Sequence, residues 1–588
     1  MRGCALGQEW RTCAAFESIH ASNSGATDLA SACPCAALGT VRKFTFVVTQ
    51  DTIPNILVPG QTRTVVQVNG TVPGPTIFVD EWDWVEVRVL NRMRVNSTSI
   101  HWHGMVQYDT PYSDGVPFVT QCPIGAGQEV TYVFRASLSG TFWWHSHLSM
   151  QYTDGAYGAL VIARVPLPGE PTDAELYGYG SDWLLTIQDF YNNGAMWLLD
   201  DYYLTPISGG DEPIPDAIVV NGLLSGNLSF AADRASRTRL RFIAANSLSE
   251  FQISVDGVRM LIIETDGTLT EPTPVASFSL NVGQRISVVV DWGEVPANVT
   301  AVFVRITALA DMYATNITDY VPDYDVPDAQ PLNPYYLATV QFAPLAGGVV
   351  QPNYEGVLSG PPAPPQSDSN QMNAAPVDRR WAPYPTHFMY AEVDFFTAEN
   401  GVNYGSFNDI SSVPDGPPVL LTLLDYYDGG PVGATHHLHF NESSPSPIGT
   451  GAGLVPILHN ADGQYAFPYG AVVEILINNT DTGDHPMHLH SHPFWLVATS
   501  EWPGAAVANR ANYPRRDVVS VEAGGWALLW VVADVPGVFV LHCHIEWHLA
   551  AGLLLTVVEA PEILNAACIP VPLDFLELCA PVCDSCTS

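Results

Sequence analysis

The chain has 588 residues, too many for one hydrophobic core, because cores stop growing near roughly 250–300 residues. Hydrophobic residues make up 47% and charged residues only 14%, with 47 Gly and 47 Pro, a balance that suits many short strands joined by tight turns and excludes a disordered or collagen-like chain. The 22 basic and 60 acidic residues leave a net charge of −38, which argues against nucleic acid or an anionic membrane as partner and leaves small neutral or cationic substrates.

In chain order, residues 1–40 form an N-terminal extension with no assignment; they hold Cys4, Cys13, Cys33 and Cys35 and lack the apolar stretch of a signal peptide. From residue 41 apolar and polar residues alternate, as in VRKFTFVVTQ and VEVRVLN, the period of half-buried strands, and a first domain is predicted over 41–165. Residues 166–345 continue with RLRFIAA, FQISVDG and RISVVVDWG but contain no histidine, which predicts a structural domain without metal ligands. A Pro- and Gly-rich linker follows over 346–385, then a third domain over 386–560 and a Cys-containing tail over 561–588. EILINNTDTGDHPMHLH echoes VEVRVLNRMRVNSTSIHWH, and PGVFVLHCHIEWHLAAGLLLTVVE echoes SGTFWWHSHLSMQYTDGAYGALVI, so the first and third domains read as one module repeated. The predicted fold class is all-β, three β-sandwiches. Ten Cys and the N-x-S/T sequons at Asn69, Asn96, Asn227, Asn298, Asn316 and Asn441 point to a secreted glycoprotein with disulfides, and no apolar run is long enough to span a membrane.

Four His-x-His pairs stand out: His101/His103, His145/His147, His488/His490 and His542/His544. On a strand, residues i and i+2 point the same way, so each pair offers two imidazoles to one side, and eight can converge between two packed modules. Imidazoles without carboxylates suit Cu, Zn, Fe or Ni; Cys543 chooses among them, because with His485 and His548 it completes the two-His, one-Cys set of a blue copper site. Reducing O2 to water also consumes protons, for which Asp114 and Glu546 are the candidate carboxylic acids. His437 and His439, a fifth pair, and His492 are expected not to be ligands.

The segments HWHG at 101, WWHSH at 143 followed by DGAYGALVI, DHPMHLHSHPF at 484 and HCHIEWHLAAGL at 542 resemble those of the multicopper oxidase family, which includes laccases and ferroxidases, and the likeness covers residues 41–560. It implies cupredoxin-like domains, the first and third sharing a copper cluster, and four copper ions that couple one-electron oxidations to the four-electron reduction of O2 to water. Carried over residue by residue, it makes His485, Cys543 and His548 the type 1 ligands and His101 and His488 the type 2 ligands. His103, His145, His147, His490, His542 and His544 then hold the two type 3 ions, and Cys543 hands its electron through the backbone to His542 and His544. Leu553 falls where related sites carry an axial Met, and a leucine there implies a stronger oxidant. Asp114, in SDGVPFVTQCPI, resembles the family aspartate that hydrogen-bonds toward the type 2 site. Ser491 stands where the family has Gly. Resemblance to fungal laccases pairs Cys122 with Cys579, and Cys583 and Cys586 are expected in disulfides rather than in a zinc site.

For the reducing substrate, the expectation is a laccase, a free secreted monomer that oxidises phenols or aromatic amines at the edge of His485, with Glu250 as an acid for the phenol proton. The alternative is a ferroxidase acting on Fe(II). It draws on the likeness of GGDEPIPDAIVVNG, NNTDTGDHPMHLH and LELCAPVCDSC to the fungal iron-uptake ferroxidases, which makes Glu212 and Asp481, with Asp311 as a weaker third, candidate iron carboxylates. Those ferroxidases carry a membrane anchor after the last domain, whereas this sequence stops at Ser588, which favours the free enzyme. A non-catalytic cupredoxin-fold protein is a remote third reading, since it has no need of ten ligand histidines and a cysteine.

Overall fold

A computed structural model of the chain describes residues 39–313, 334–342, 382–424, 440, 442–444, 453–501, 513–564 and 569–579. His437, His439, the side chain of Asp311, the four N-terminal cysteines, Cys583 and Cys586 lie outside that set.

Among the described residues, strands pair into six sheets that stack two by two into three sandwiches. In the first, the sheet of Thr62–Val68, Val41–Pro54, Trp84–Asn91 and Glu129–Arg135 packs on that of Ile77–Asp80, Tyr157–Ala163, Gly140–His145 and His101–His103. The alternation in WVEVRVLN is realised: every second residue from Val85 is buried, and Trp102, between two histidines, turns away from them into this core against Phe134 and Phe46. The second sandwich contains the long strands Ser181–Phe190, Arg237–Ala244 and Arg285–Asp291; in the last, all residues but Asp291 are buried. Its outer face is covered by the first sandwich, where the Thr141 hydroxyl lies 3.2 Å from that of Ser287 and accepts from Arg241.

The third sandwich carries Val472–Asn479 and Trp526–Val532 in one sheet and His485–Leu489, Gly537–Cys543 and Leu554–Glu559 in the other. One continuous apolar core runs from the second sandwich into the third and takes in Cys543, Trp547 and Leu553. Each fully buried side chain of this kind contributes about 1.5–3 kcal/mol, so burial shared across the boundary holds the two domains together. The tail folds back on the first sandwich: Phe575, on the helix Leu573–Leu578, packs edge-on against Tyr112 and Tyr132, and Cys579 is disulfide-bonded to Cys122, the pairing the laccase likeness implies.

Candidate metal centres

Antiparallel pairing aligns the histidines before any metal is considered. His101 lies opposite His145 in the first sandwich, and His488 opposite His542 in the third, with Cys543 opposite Met487. The eight imidazoles of the four pairs meet between these sandwiches, all buried. Burial, with the neighbouring imidazoles adding to it, holds the rings of His101, His103, His147, His488, His490 and His544 far below the ordinary histidine range; burial likewise takes His145 to about 3, and His542 to about 4. They are neutral at neutral pH, with one lone pair each.

Where the lone pairs point follows from what the other ring nitrogen donates to. Nδ1 of His542 is 2.8 Å from the Cys543 carbonyl oxygen, which only accepts, so Nδ1 holds the proton and Nε2 does not. Nδ1 of His490 is 2.9 Å from Asp114 Oδ2, with the same consequence whenever that carboxyl is ionised. The two bare Nε2 atoms nevertheless face each other at 3.0 Å. Two lone pairs at that distance repel, and a cation between them turns repulsion into ligation. Nε2 of His101, His145, His147 and His488 is buried without a hydrogen-bond partner, while Nδ1 of His101 and His488 is taken up by the carbonyls of Asp114 and Asp517 at 2.7 and 2.8 Å. Such a set of buried, unpartnered imidazole nitrogens fits a multinuclear copper site.

The second centre is built the other way round. Nε2 of His485 faces Asp481 Oδ2 at 3.1 Å and Nε2 of His548 faces Glu212 Oε1 at 2.7 Å, which turns both Nδ1 atoms inward, 3.2 Å apart, where a metal ion can displace a proton they hold. Sγ of Cys543 lies 3.6 and 3.4 Å from them, closing a buried N,N,S triangle. Burial alone would raise the Cys543 thiol, but the two imidazoles outweigh it and bring it to about 7; burial would lower His548, but the Cys543 thiolate and Glu212 hold it at about 10. A nitrogen pair with a soft sulfur is the donor set of a blue copper site.

Models of the family described as multicopper oxidase match residues 52–166, 181–330 and 436–562. The iron transport multicopper oxidase fio1 of Schizosaccharomyces pombe is 32% identical over 521 residues, 87% of this chain and 75% of that protein. The chain belongs to the multicopper oxidase family. Laccase-5 of Trametes villosa is 31% identical over 554 residues, 90% of this chain and 93% of its own. The crystal structure of Fet3p, a multicopper oxidase that functions in iron import, aligns at a TM-score of 0.74 and 26% identity over 92% of this chain and 94% of that one. A multicopper oxidase uses four copper ions, and the two centres above are the groups that suit them.

The structure brings together, in this multicopper oxidase, most of the residues singled out from sequence. Asp114 is fully buried, and besides His490 it approaches the type 2 candidate His101, Oδ1 to Nδ1 at 3.5 Å; burial raises its carboxyl far above the usual range. Glu546 is buried at the start of the helix Glu546–Ala550, its carboxyl also raised by burial, beside Tyr152, whose hydroxyl donates to the Asn246 carbonyl at 3.1 Å and whose ring lies 5.0 Å from that of His145. Glu250 lies within electrostatic reach of Glu522, whose carboxyl is pushed up to about 9 by burial and then by Asp484, Glu501 and Glu250. The Leu553 carbonyl accepts from the Cys543 N–H at 3.2 Å, and its side chain is fully buried.

Ser491 adopts the left-handed φ of 65° that glycine favours, and its Oγ accepts from the Gln107 N–H at 2.8 Å. The strain of roughly 1–2 kcal/mol is thus largely offset by a hydrogen bond worth about 1 kcal/mol that joins the first and third sandwiches. His492 is no part of either triangle; it pairs with buried Glu559 at 2.8 Å. Sequence reasoning missed Asp517, Arg285 and Tyr152. The signal for Arg285 was present in RISVVVD, since a charge heading an otherwise buried strand must have a partner.

Proposed function

We propose that this oxidoreductase is an extracellular ferroxidase, which takes single electrons from Fe(II) at the outer edges of His485 and His548. The copper ions, when bound, accept those electrons one at a time beside Cys543 and deliver four to O2 at the histidine cluster. We assign His485, Cys543 and His548 to type 1, His101 and His488 to type 2, and His103, His145, His147, His490, His542 and His544 to the type 3 pair. Neutral, oriented imidazoles at the cluster, and two imidazoles beside a thiol drawn down to about 7 at the Cys543 site, are what this chain supplies to that set. His542 and His544 flank Cys543, so one three-residue segment joins the two centres. Asp114 and Glu546, buried against His490 and Tyr152, are placed to hold protons for O2 reduction.

One observation carries the choice of substrate: each outward Nε2 of the type 1 histidines is met by a partly exposed carboxylate, Glu212 with 20% and Asp481 with 26% of its side chain accessible. Fe(II) is a hard cation that prefers oxygen ligands, and carboxylates stabilise Fe(III) more than Fe(II), which makes electron loss easier. The net charge of −38 favours the approach of a cation. Iron-transport oxidases among the relatives support the same reading. The sequons and the Cys122–Cys579 disulfide support secretion, and among the described residues no helix is long and apolar enough to cross a membrane. A laccase reading keeps support from the laccase relatives and from the apolar side of the site, where Phe395 stacks on His485 at 5.7 Å. Steady-state kinetics on Fe(II) and on a phenol, measured side by side on the same copper-loaded preparation, test the proposal. A kcat/KM for Fe(II) well above that for the phenol is expected, and phenol turnover with none on Fe(II) would give the site to a laccase.

A further inference from the structure

The strand Arg285–Asp291 belongs to the sandwich that has no histidine, yet its first side chain is a guanidinium with no exposure to solvent. Such a group persists only where acceptors are built around it. Nη1 and Nη2 of Arg285 donate to Oδ1 and Oδ2 of Asp517, each at 2.5 Å; Nη1 also donates to the Gly283 carbonyl at 3.0 Å, and Nε to the Thr141 carbonyl at 3.1 Å. Asp517 in turn faces the cluster. Its Oδ1 accepts from Nε2 of His103 at 3.2 Å, its carbonyl from Nδ1 of His488 at 2.8 Å, and these two rings stack nearly parallel, 3.8 Å apart. The fit leaves no slack: a Cβ on Gly104 would stand 2.7 Å from Asp517 Oδ2 and 2.8 Å from Arg285 Nη2, and one on Gly283 would stand 2.8 Å from His544.

His103 differs from the other members of the cluster whose second nitrogen is accounted for. His101, His145, His488 and His542 donate from Nδ1 to backbone carbonyls and keep Nε2 bare, and His490 likewise turns Nδ1 outward, to Asp114. His103 donates from Nε2, so its bare nitrogen is Nδ1, which faces Nε2 of His544 at 3.1 Å. A ring that must present Nδ1 has to be rotated and held by something on its far side, and Asp517 is that group.

We infer that Arg285 is a positioning residue for the copper cluster: by gripping both oxygens of Asp517 it fixes the plane of that carboxylate, and through it the tautomer and rotation of His103 and the seat of His488. The fork-to-carboxylate contact occupies Asp517 as an orienting acceptor rather than as one more ligand. The domain without histidines therefore takes part in the metal centre at one remove. The inference rests on the assignment of His103 and His488 to the cluster proposed above.

The test compares wild type with Arg285→Lys, which keeps the buried charge but loses the fork, and with Arg285→Gln/Asp517→Asn, which removes both buried charges together and so avoids an unpaired carboxylate if the single change is hard to fold. Copper per chain, the electron paramagnetic resonance of the type 2 ion, the blue absorption of the Cys543 site and competition with a Cu(I) chelator are read on each purified protein. Both variants are expected to bind cluster copper about 10- to 100-fold more weakly and to show an altered type 2 signal, with the blue band intact. Wild-type cluster affinity and signal in both, or a blue band lost in step with the cluster, would overturn the inference, as would a lowered melting temperature with unchanged copper. A His103→Ala control separates the two levels: if it leaves cluster copper intact, the ligand assignment has failed, whereas if it loses that copper while the Arg285 variants keep theirs, only the role of Arg285 has.

Discussion

The two centres of this oxidase are built from the same side chain used in opposite senses. In the cluster, most rings turn Nδ1 to backbone carbonyls or to buried Asp114 and point Nε2 inward, and all are buried. At the Cys543 site the rings point Nδ1 inward and give Nε2 to Glu212 and Asp481, which are partly exposed. The difference teaches what each centre is for. A ring whose outer nitrogen ends on a buried carbonyl is closed to everything but small molecules that diffuse in, as O2 does. On the proposed function, a ring whose outer nitrogen ends on an accessible carboxylate is the route for electrons from the surface, and the carboxylate favours a cationic donor there.

Removing the atom that distinguishes the Cys543 site should have the largest effect. Cys543→Ser is expected to abolish the blue absorption and reduce oxidase turnover to background, because thiolate-to-copper charge transfer and the link to His542 and His544 both need that sulfur. The cluster copper should remain, since its eight imidazoles are untouched, and metal analysis with absorption spectroscopy checks both points. A variant that stayed blue would break the assignment of the two centres.

Next comes the closed side. Asp114→Asn keeps the shape of the group that receives Nδ1 of His490 but removes its proton chemistry. Reoxidation of the reduced enzyme by O2 is expected to slow by about 10²–10⁴-fold, the usual worth of a positioned acid or base, while reduction by substrate is nearly unchanged. Stopped-flow measurement of the two half reactions separates these. Equal slowing of both would mark a structural fault and take Asp114 out of the proton path.

On the open side, Glu212→Ala with Asp481→Ala is expected to lower kcat/KM for Fe(II) by well over tenfold, while phenol oxidation falls by less than about tenfold, or roughly 1.4 kcal/mol. The contrast follows from chemistry already stated: iron needs the oxygens, and an aromatic donor needs the apolar side near Phe395. Loss of both activities in equal measure would mean that the acids only orient His485 and His548.

Much of this was legible in the sequence for a simple reason. The two-residue period of a strand turns His-x-His into a pair of imidazoles on one face, and it sends Trp102 and Cys543 to the other, so spacing alone put the four imidazole pairs and the cysteine on opposite faces. The acids beside His485 and His548 were legible only through family likeness, and Glu212 comes 336 residues before its partner. What stayed hidden was which nitrogen each ring presents. That depends on contacts such as His103 with Asp517 across 414 residues and Arg285 with Asp517 across 232, which no local pattern encodes. The same limit applies to Ser491, which stands where the family has Gly: nothing local announces the bond from Gln107 that accompanies its left-handed backbone.

The smallest effect is expected where the comparison turns on tuning rather than on ligation. Leu553 is fully buried, its N–H donates to the His548 carbonyl at 3.0 Å, and its own carbonyl accepts from Cys543, so the backbone ties it to two type 1 residues. Leu→Met conserves volume, and such swaps usually cost less than about 1.5 kcal/mol, so Leu553→Met should fold and load copper normally. The change places a weak thioether donor where a hydrocarbon stood. Added electron density favours Cu(II), so the reduction potential should fall and electron uptake from Fe(II) should slow by a few-fold, roughly 1 kcal/mol of driving force, with O2 reduction at the cluster unaffected. Redox titration of the blue band, set beside Fe(II) kinetics, reads both quantities on one sample. An unchanged potential would show that the Leu553 side chain does not face the copper axis, and the oxidising strength of the site would then have to come from the burial of Cys543 and the pull of its two imidazoles.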